Sequence, residues 1–141
     1  MKRTASAVWQ GDLKSGKGTV STESAVLSQT QYSFGTRFEN GKGTNPEELI
    51  AAAHAGCFTM ALSGQLGSAG LVADKLETTA TLSFEKLEAG WTVTQIHLYV
   101  RGTVPKADAA AWEKTTAAAK AGCPISRLLN TTIMMEAKLE G

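Results

Sequence analysis

Cysteine is scarce in this sequence, with Cys57 and Cys123 the only two in 141 residues. Two cysteines do not make the disulfide framework of a small secreted scaffold, so thiol chemistry is the first function to weigh. Charge of one sign is missing too. The 14 basic and 13 acidic residues are scattered and leave a formal net charge of +1, which excludes a basic stripe for nucleic acid and an acidic disordered tail. Behind the basic residues of Met1–Trp9 there is no apolar run, so this stretch does not read as a signal peptide, and a reducing cytoplasm is the expected setting. The most apolar window, 49–66, is interrupted by His54, Ser63 and Gln65, which argues for a helix buried in protein and against a membrane span. There is no repeat, no Gly-rich phosphate loop and no Gly-x-Ser-x-Gly elbow. Two cysteines and two histidines without close ligand spacing make a poor zinc site.

What is present suits one compact domain over 1–141, since 43% of the residues are hydrophobic. The N-terminal alternation around Trp9 and the β-prone stretch 18–22 predict an antiparallel meander. Residues 34–44, with three glycines, read as a loop that carries Arg37 between Phe34 and Phe38. Asn45 as N-cap, Pro46 at the first helical position and Glu48 closing a capping box start a long helix. It runs to about Leu66, roughly 30 Å, and is apolar or small on nearly every face. A strand over 76–85, a tight turn at 88–90 and a return strand over 91–104 follow, with a bulge expected near Gln95, where the alternation changes phase. Asp108 caps a second helix that closes at Gly122 as C′. A short helix opens at Cys123–Pro124, and a last strand takes 131–139. The order gives an α+β fold.

Cys57 is a candidate nucleophile, but an unassisted thiol is mostly protonated at neutral pH, and a mid-helix position offers no help. It needs a cation, for which Arg37 is the best-placed candidate. The other reading is a buried structural cysteine behaving as a small hydrophobe. Cys123, ahead of Pro124, occupies a helix N-cap position that favours a thiolate, or is a loop cysteine of no consequence. At about 100° per residue, Glu47 lies about 80° around the helix from Cys57 and Glu48 about 180°. Glu47 is thus the better partner for Arg37 in a bidentate pair, unless it only complements the helix dipole. His54 shares Cys57's side of the helix, as a Cys–His couple or as a core histidine with no evident third group to orient it. Phe34, Phe38 and Phe58, near Arg37 and Cys57 in sequence, are candidates for an apolar substrate pocket.

Taken together, Gly16-Lys17-Gly18-Thr19-Val20-Ser21-Thr22, Thr36-Arg37-Phe38-Glu39, Gly43-Thr44-Asn45-Pro46-Glu47-Glu48 through Cys57-Phe58, and Gly122-Cys123-Pro124-Ile125-Ser126 resemble the OsmC/Ohr family of thiol-dependent peroxidases. His54, and isoleucine within Cys-Pro-Ile-Ser, place the likeness nearer the osmotically inducible OsmC branch. The resemblance covers essentially the whole chain. It implies an OsmC-like fold of antiparallel sheets packed on two main helices in an intertwined homodimer, with active sites at the subunit interface. It further implies Cys57 as peroxidatic cysteine, Cys123 as resolving cysteine, and Arg37 with Glu47 as the pair that activates the thiolate.

On that resemblance the chain reduces organic hydroperoxides, and hydrogen peroxide, through a sulfenic acid and a disulfide, without metal, flavin or haem. An external dithiol, such as a lipoylated protein, closes the cycle; neither nucleic acid nor membrane is a partner. The competing reading is a stress-induced protein that binds an apolar ligand and whose cysteines are sensors. Catalytic turnover separates the two.

Overall fold

A computed structural model describes residues 1–141, which form two compact units, Met1–Leu49 and Ile50–Gly141. In the first, β1 (Ala5–Gln10), β2 (Lys17–Thr22) and β3 (Thr30–Tyr32) make the expected antiparallel meander in that order. Gly18 pairs with both Trp9 and Tyr32. Its missing side chain lets their rings approach to 5.5 Å between centroids, and a Cβ there would sit 2.6 Å from each.

The segment expected to be a loop holds a short helix, α1 (Phe34–Phe38). The reason is a capping box: the Thr36 amide donates to Ser33 Oγ at 3.2 Å, and the Ser33 amide donates to Thr36 Oγ1 at 2.9 Å. Two orphan donors satisfied reciprocally are enough to hold one turn despite Gly35.

Helix α2 (Pro46–Ser68) starts as expected, with the Glu48 amide donating to Asn45 Oδ1 at 2.8 Å. The box is only half made, because the Glu48 carboxylate accepts from Thr44 Oγ1 at 2.8 Å. Asn45 is fixed instead by donating from Nδ2 to the Thr36 carbonyl at 2.9 Å. The helix ends slightly later than expected. Gly70 takes positive φ (75°), and the Leu71 amide reaches back to the Leu66 carbonyl at 2.9 Å, a glycine-dependent stop.

In the second unit, β4 (Lys75–Leu87) and β5 (Gly90–Thr103) form an antiparallel hairpin. Ser83 faces Gln95 while Phe84 faces Val93, so Thr94 is the extra residue of the bulge. The bulge restores the inward phase for Ile96, Leu98 and Val100, all fully buried. Helices α3 (Ala109–Gly122) and α4 (Pro124–Leu128) then return the chain to β6 (Thr132–Glu140). Here the expectation of purely antiparallel sheets is corrected: β6 pairs parallel to β5. A helical crossover carries the chain back to the start of its neighbour, whereas a tight hairpin would have reversed it. Gly122 is the last helical residue rather than C′. The residue before a proline is driven out of the helical region, and Cys123 (φ −56°, ψ 120°) makes the break.

The core of this unit gathers Phe58, Leu62 and Leu66 of α2 with the buried β5 residues, Trp112, Ala119 and Cys123. Each such large apolar side chain contributes about 1.5–3 kcal/mol. The same face of α2 carries His54 four residues before Phe58. Its other face exposes Ala52, Ala53, Gly56, Met60 and Gly64. By length and composition α2 could cross a membrane, with mean hydropathy 1.3. The fold is α+β, as expected.

Candidate active site

Two chemically distinct clusters emerge, one in each unit. In the second, the crossover from α3 to α4 brings Cys123 to Cys57, 66 positions earlier, with the sulfurs hydrogen-bonded at 3.0 Å. Both are free thiols, Cys57 half-buried and Cys123 buried. Burial pushes the Cys57 thiol above its ordinary value and the bond to Cys123 raises it further, with the Ile125 amide opposing. Burial also works against a Cys123 thiolate. The bonds from Cys57, from the Ser126 amide and hydroxyl and from the Ile125 amide outweigh it, and that thiol is held below its ordinary value. Two thiols this close give up their first proton as a pair. Such a pair is already placed to become a disulfide once one sulfur is oxidised.

Cys123 does cap α4, yet its side chain makes no capping hydrogen bond. His54 does not bond Cys57. It is fully buried, and its Nε2 lies 2.6 Å from Ser126 Oγ, 72 positions away. The third group that the sequence did not reveal is therefore Ser126, within the Cys-Pro-Ile-Ser motif but recognisable only once α4 is folded. Burial holds the imidazole below the usual histidine range.

In the first unit the expected carboxylate–guanidinium pair is made. Arg37 Nε donates to both Glu47 oxygens at 3.1 and 3.2 Å, and Nη2 donates to Oε1 at 2.7 Å. Glu47 is 12% exposed and Arg37 38%, so the carboxylate that fixes the fork is the more buried partner. The guanidinium also lies 5.2 Å from the Phe38 ring centre, and Phe38 packs on Phe34 at 4.9 Å. Around them opens a cavity of about 230 Å³ lined by Trp9, Leu13, Tyr32, Phe34, Phe38 and Arg37. Trp9, Leu13 and Tyr32 were not anticipated, because their approach depends on strand register.

Phe58 departs from its expected role. It is fully buried in the second unit's core beside Leu62 and Leu98, where it packs and has no surface to offer a substrate. No group of three or more His, Cys, Asp or Glu comes together as a metal site.

The family model for OsmC-like protein matches residues 39–138. A curated relative, Peroxiredoxin OsmC of Escherichia coli (strain K12), is 52% identical over 134 residues, covering 95% of this chain and 94% of that protein. Among solved structures, the organic hydroperoxide resistance protein OhrB of Bacillus subtilis superposes with a TM-score of 0.75 at 25% identity, covering 96% of this chain and 98% of that one. An OsmC-like protein of unknown function from Vibrio cholerae reaches a TM-score of 0.80 at 17% identity, covering 98% and 99%, a likeness of fold.

Proposed function

This chain belongs to the OsmC-like protein family, and from that premise we propose that it is a thiol peroxidase that reduces organic hydroperoxides, and also hydrogen peroxide, with electrons from an external dithiol. The observation that carries this reading is the meeting of Cys57 and Cys123 at 3.0 Å, both as free thiols. Cys57 is the peroxidatic residue. Its thiolate attacks the terminal peroxide oxygen, an alcohol leaves, and a sulfenic acid remains. Cys123 then displaces the hydroxyl from Cys57 sulfur to give a disulfide and water, and dithiol exchange regenerates both thiols.

Burial and the bond to Cys123 outweigh the Ile125 amide and hold the Cys57 thiol above its ordinary value, so the first step needs positive charge. We assign that charge to Arg37. Glu47 grips Nε and Nη2 in a fixed fork and so sets the direction of the planar cation that serves thiolate and peroxide. Phe34 and Phe38, on the cavity beside Arg37, receive the hydrocarbon group of the substrate.

The working unit is a homodimer in which the chain acts as one OsmC-like domain over 1–141. Only 22% of the most apolar stretch of α2 is buried within a single chain, and its exposed face of Ala52, Gly56 and Gly64 suits close packing by a second copy. Two cysteines that must be returned to thiols after every turnover suit a reducing cytoplasm, and the reductant is a small dithiol or a lipoylated protein.

The test is peroxide consumption by the reduced protein with a saturating dithiol. Sustained turnover in the wild type, lost in Cys57→Ser, supports the assignment. One stoichiometric oxidation without turnover would instead fit the ligand-binding sensor. Persistent activity in Cys57→Ser, with Cys123 as the oxidised residue, would reverse the two roles.

A further inference from the structure

The cycle above gives no task to two buried polar groups, His54 and Ser126. His54 is fully buried, with Nε2 at 2.6 Å from Ser126 Oγ and Nδ1 without any partner. An orphaned N–H is rarer in a protein interior than an under-used lone pair. The ring proton therefore belongs on Nε2, where it is donated to Ser126 Oγ. That leaves the serine's own proton for another acceptor. Cys123 is the N-cap of α4 and Ser126 the third residue of the same turn; the Ser126 hydroxyl and amide favour the Cys123 thiolate, and the Cys123 sulfur is in contact with Cys57.

The geometry points to His54 as a positioning residue for the second half of the cycle: by donating from Nε2 it turns the Ser126 hydroxyl proton onto Cys123 Sγ and readies that sulfur to attack oxidised Cys57. The inference rests on Cys123 being the resolving cysteine. It also answers a problem in that assignment. In the reduced protein one of the bonds that favours the Cys123 thiolate comes from the Cys57 thiol. That S–H is gone by the time Cys123 must act on oxidised Cys57, which leaves the Ser126 hydroxyl as the side-chain donor beside the Ser126 and Ile125 amides. Burial keeps His54 neutral near pH 7, so it serves as a fixed hydrogen-bond donor and not as a cation. The step balances without a further oxidant: the Cys123 thiolate forms the S–S bond, the S–O bond of the Cys57 sulfenic acid breaks, and the hydroxide leaves with the electron pair. The proton that Cys123 lost on ionising completes a water molecule.

The experiment is a single turnover of reduced full-length protein with one equivalent of cumene hydroperoxide. Quenching and mass analysis follow sulfenic acid formation and disulfide formation separately. A hydrogen bond to a charged group is worth about ten-fold or more in rate, so Ser126→Ala and His54→Leu should slow disulfide formation by about that factor and raise over-oxidation of Cys57. Sulfenic acid formation should stay near the wild-type rate. His54→Gln, whose side-chain amide places an N–H near the same point, should restore most of the lost rate, as should Ser126→Thr with its retained hydroxyl. Should His54→Leu fail to fold, Ser126→Ala carries the test. Disulfide formation at the wild-type rate in Ser126→Ala, or equal damage in His54→Gln and His54→Leu, overturns the inference, as does equal slowing of both half-reactions, which marks a structural brace. If the wild type forms no Cys57–Cys123 disulfide, the peroxidase reading fails and this inference with it. If the wild type forms it and the variants match, only the relay fails.

Discussion

The two units hold reactive groups in opposite ways. In Met1–Leu49, the Arg37 guanidinium lies near the surface, clamped by Glu47 and lining an aromatic cavity. In Ile50–Gly141, Cys57, Cys123, His54 and Ser126 lie in or beside an apolar core. The difference is instructive. A charge can be kept cheaply where water still reaches it, and the Arg37–Glu47 pair adds only about 0–1 kcal/mol to stability; its value lies in the direction of the guanidinium. Burial protects a thiol pair from stray oxidation, but it also opposes the ionisation the chemistry requires. Each unit has what the other lacks.

The comparison breaks most completely at the sulfurs. Cys57→Ser should abolish turnover, whereas Cys123→Ser should react once and accumulate sulfenic or over-oxidised Cys57, as read by mass after one equivalent of peroxide. The charged half comes next. Arg37→Lys keeps the charge but loses the planar fork, and should lower kcat/KM by about ten- to a hundred-fold. Glu47→Gln should cost more than Glu48→Gln, whose carboxylate only binds Thr44. Equal small effects at the two glutamates would remove the assignment of Glu47.

The aromatic residues sharpen the contrast. Each methylene placed in an apolar pocket contributes about 0.8 kcal/mol, so cumene hydroperoxide should be preferred over hydrogen peroxide by several-fold to about a hundred-fold. Phe34→Ala or Phe38→Ala should narrow that preference. Phe58→Ala should instead destabilise the fold by about 3–5 kcal/mol in urea unfolding, with the preference among surviving molecules unchanged.

What the sequence made legible was what local pattern decides. The cap at Asn45, the bulge opposite Ser83 and Phe84, and the facing of Glu47 all follow from spacing within one element. Ser33 and Thr36 also had the spacing of a capping box, but the surrounding glycines hid a one-turn helix. The parallel entry of β6, the His54–Ser126 bond and the burial of Phe58 depend on which distant elements meet, and periodicity carries no such information. Neither did the aromatic pattern tell the cavity residues Phe34 and Phe38 from the core residue Phe58.

The smallest effect expected is on stability in mild acid. Below about pH 6.5 an unfolded chain protonates His54, while burial keeps the folded ring neutral. The unfolded state then binds more protons, so this contribution to stability is present above that pH and is lost as pH falls. Urea midpoints should drop less steeply between about pH 7 and pH 5 in His54→Gln than in the wild type.

The account stands on Cys57 and Cys123 acting as one redox pair. One equivalent of an organic hydroperoxide added to the fully reduced protein, followed by peptide mapping under non-reducing conditions, tests this directly. The predicted result is one alcohol released per chain, both thiols lost, and a Cys57–Cys123 disulfide within a single chain. Intact peroxide with both thiols still free, or oxidation that leaves Cys123 a thiol while turnover with dithiol continues, would contradict it.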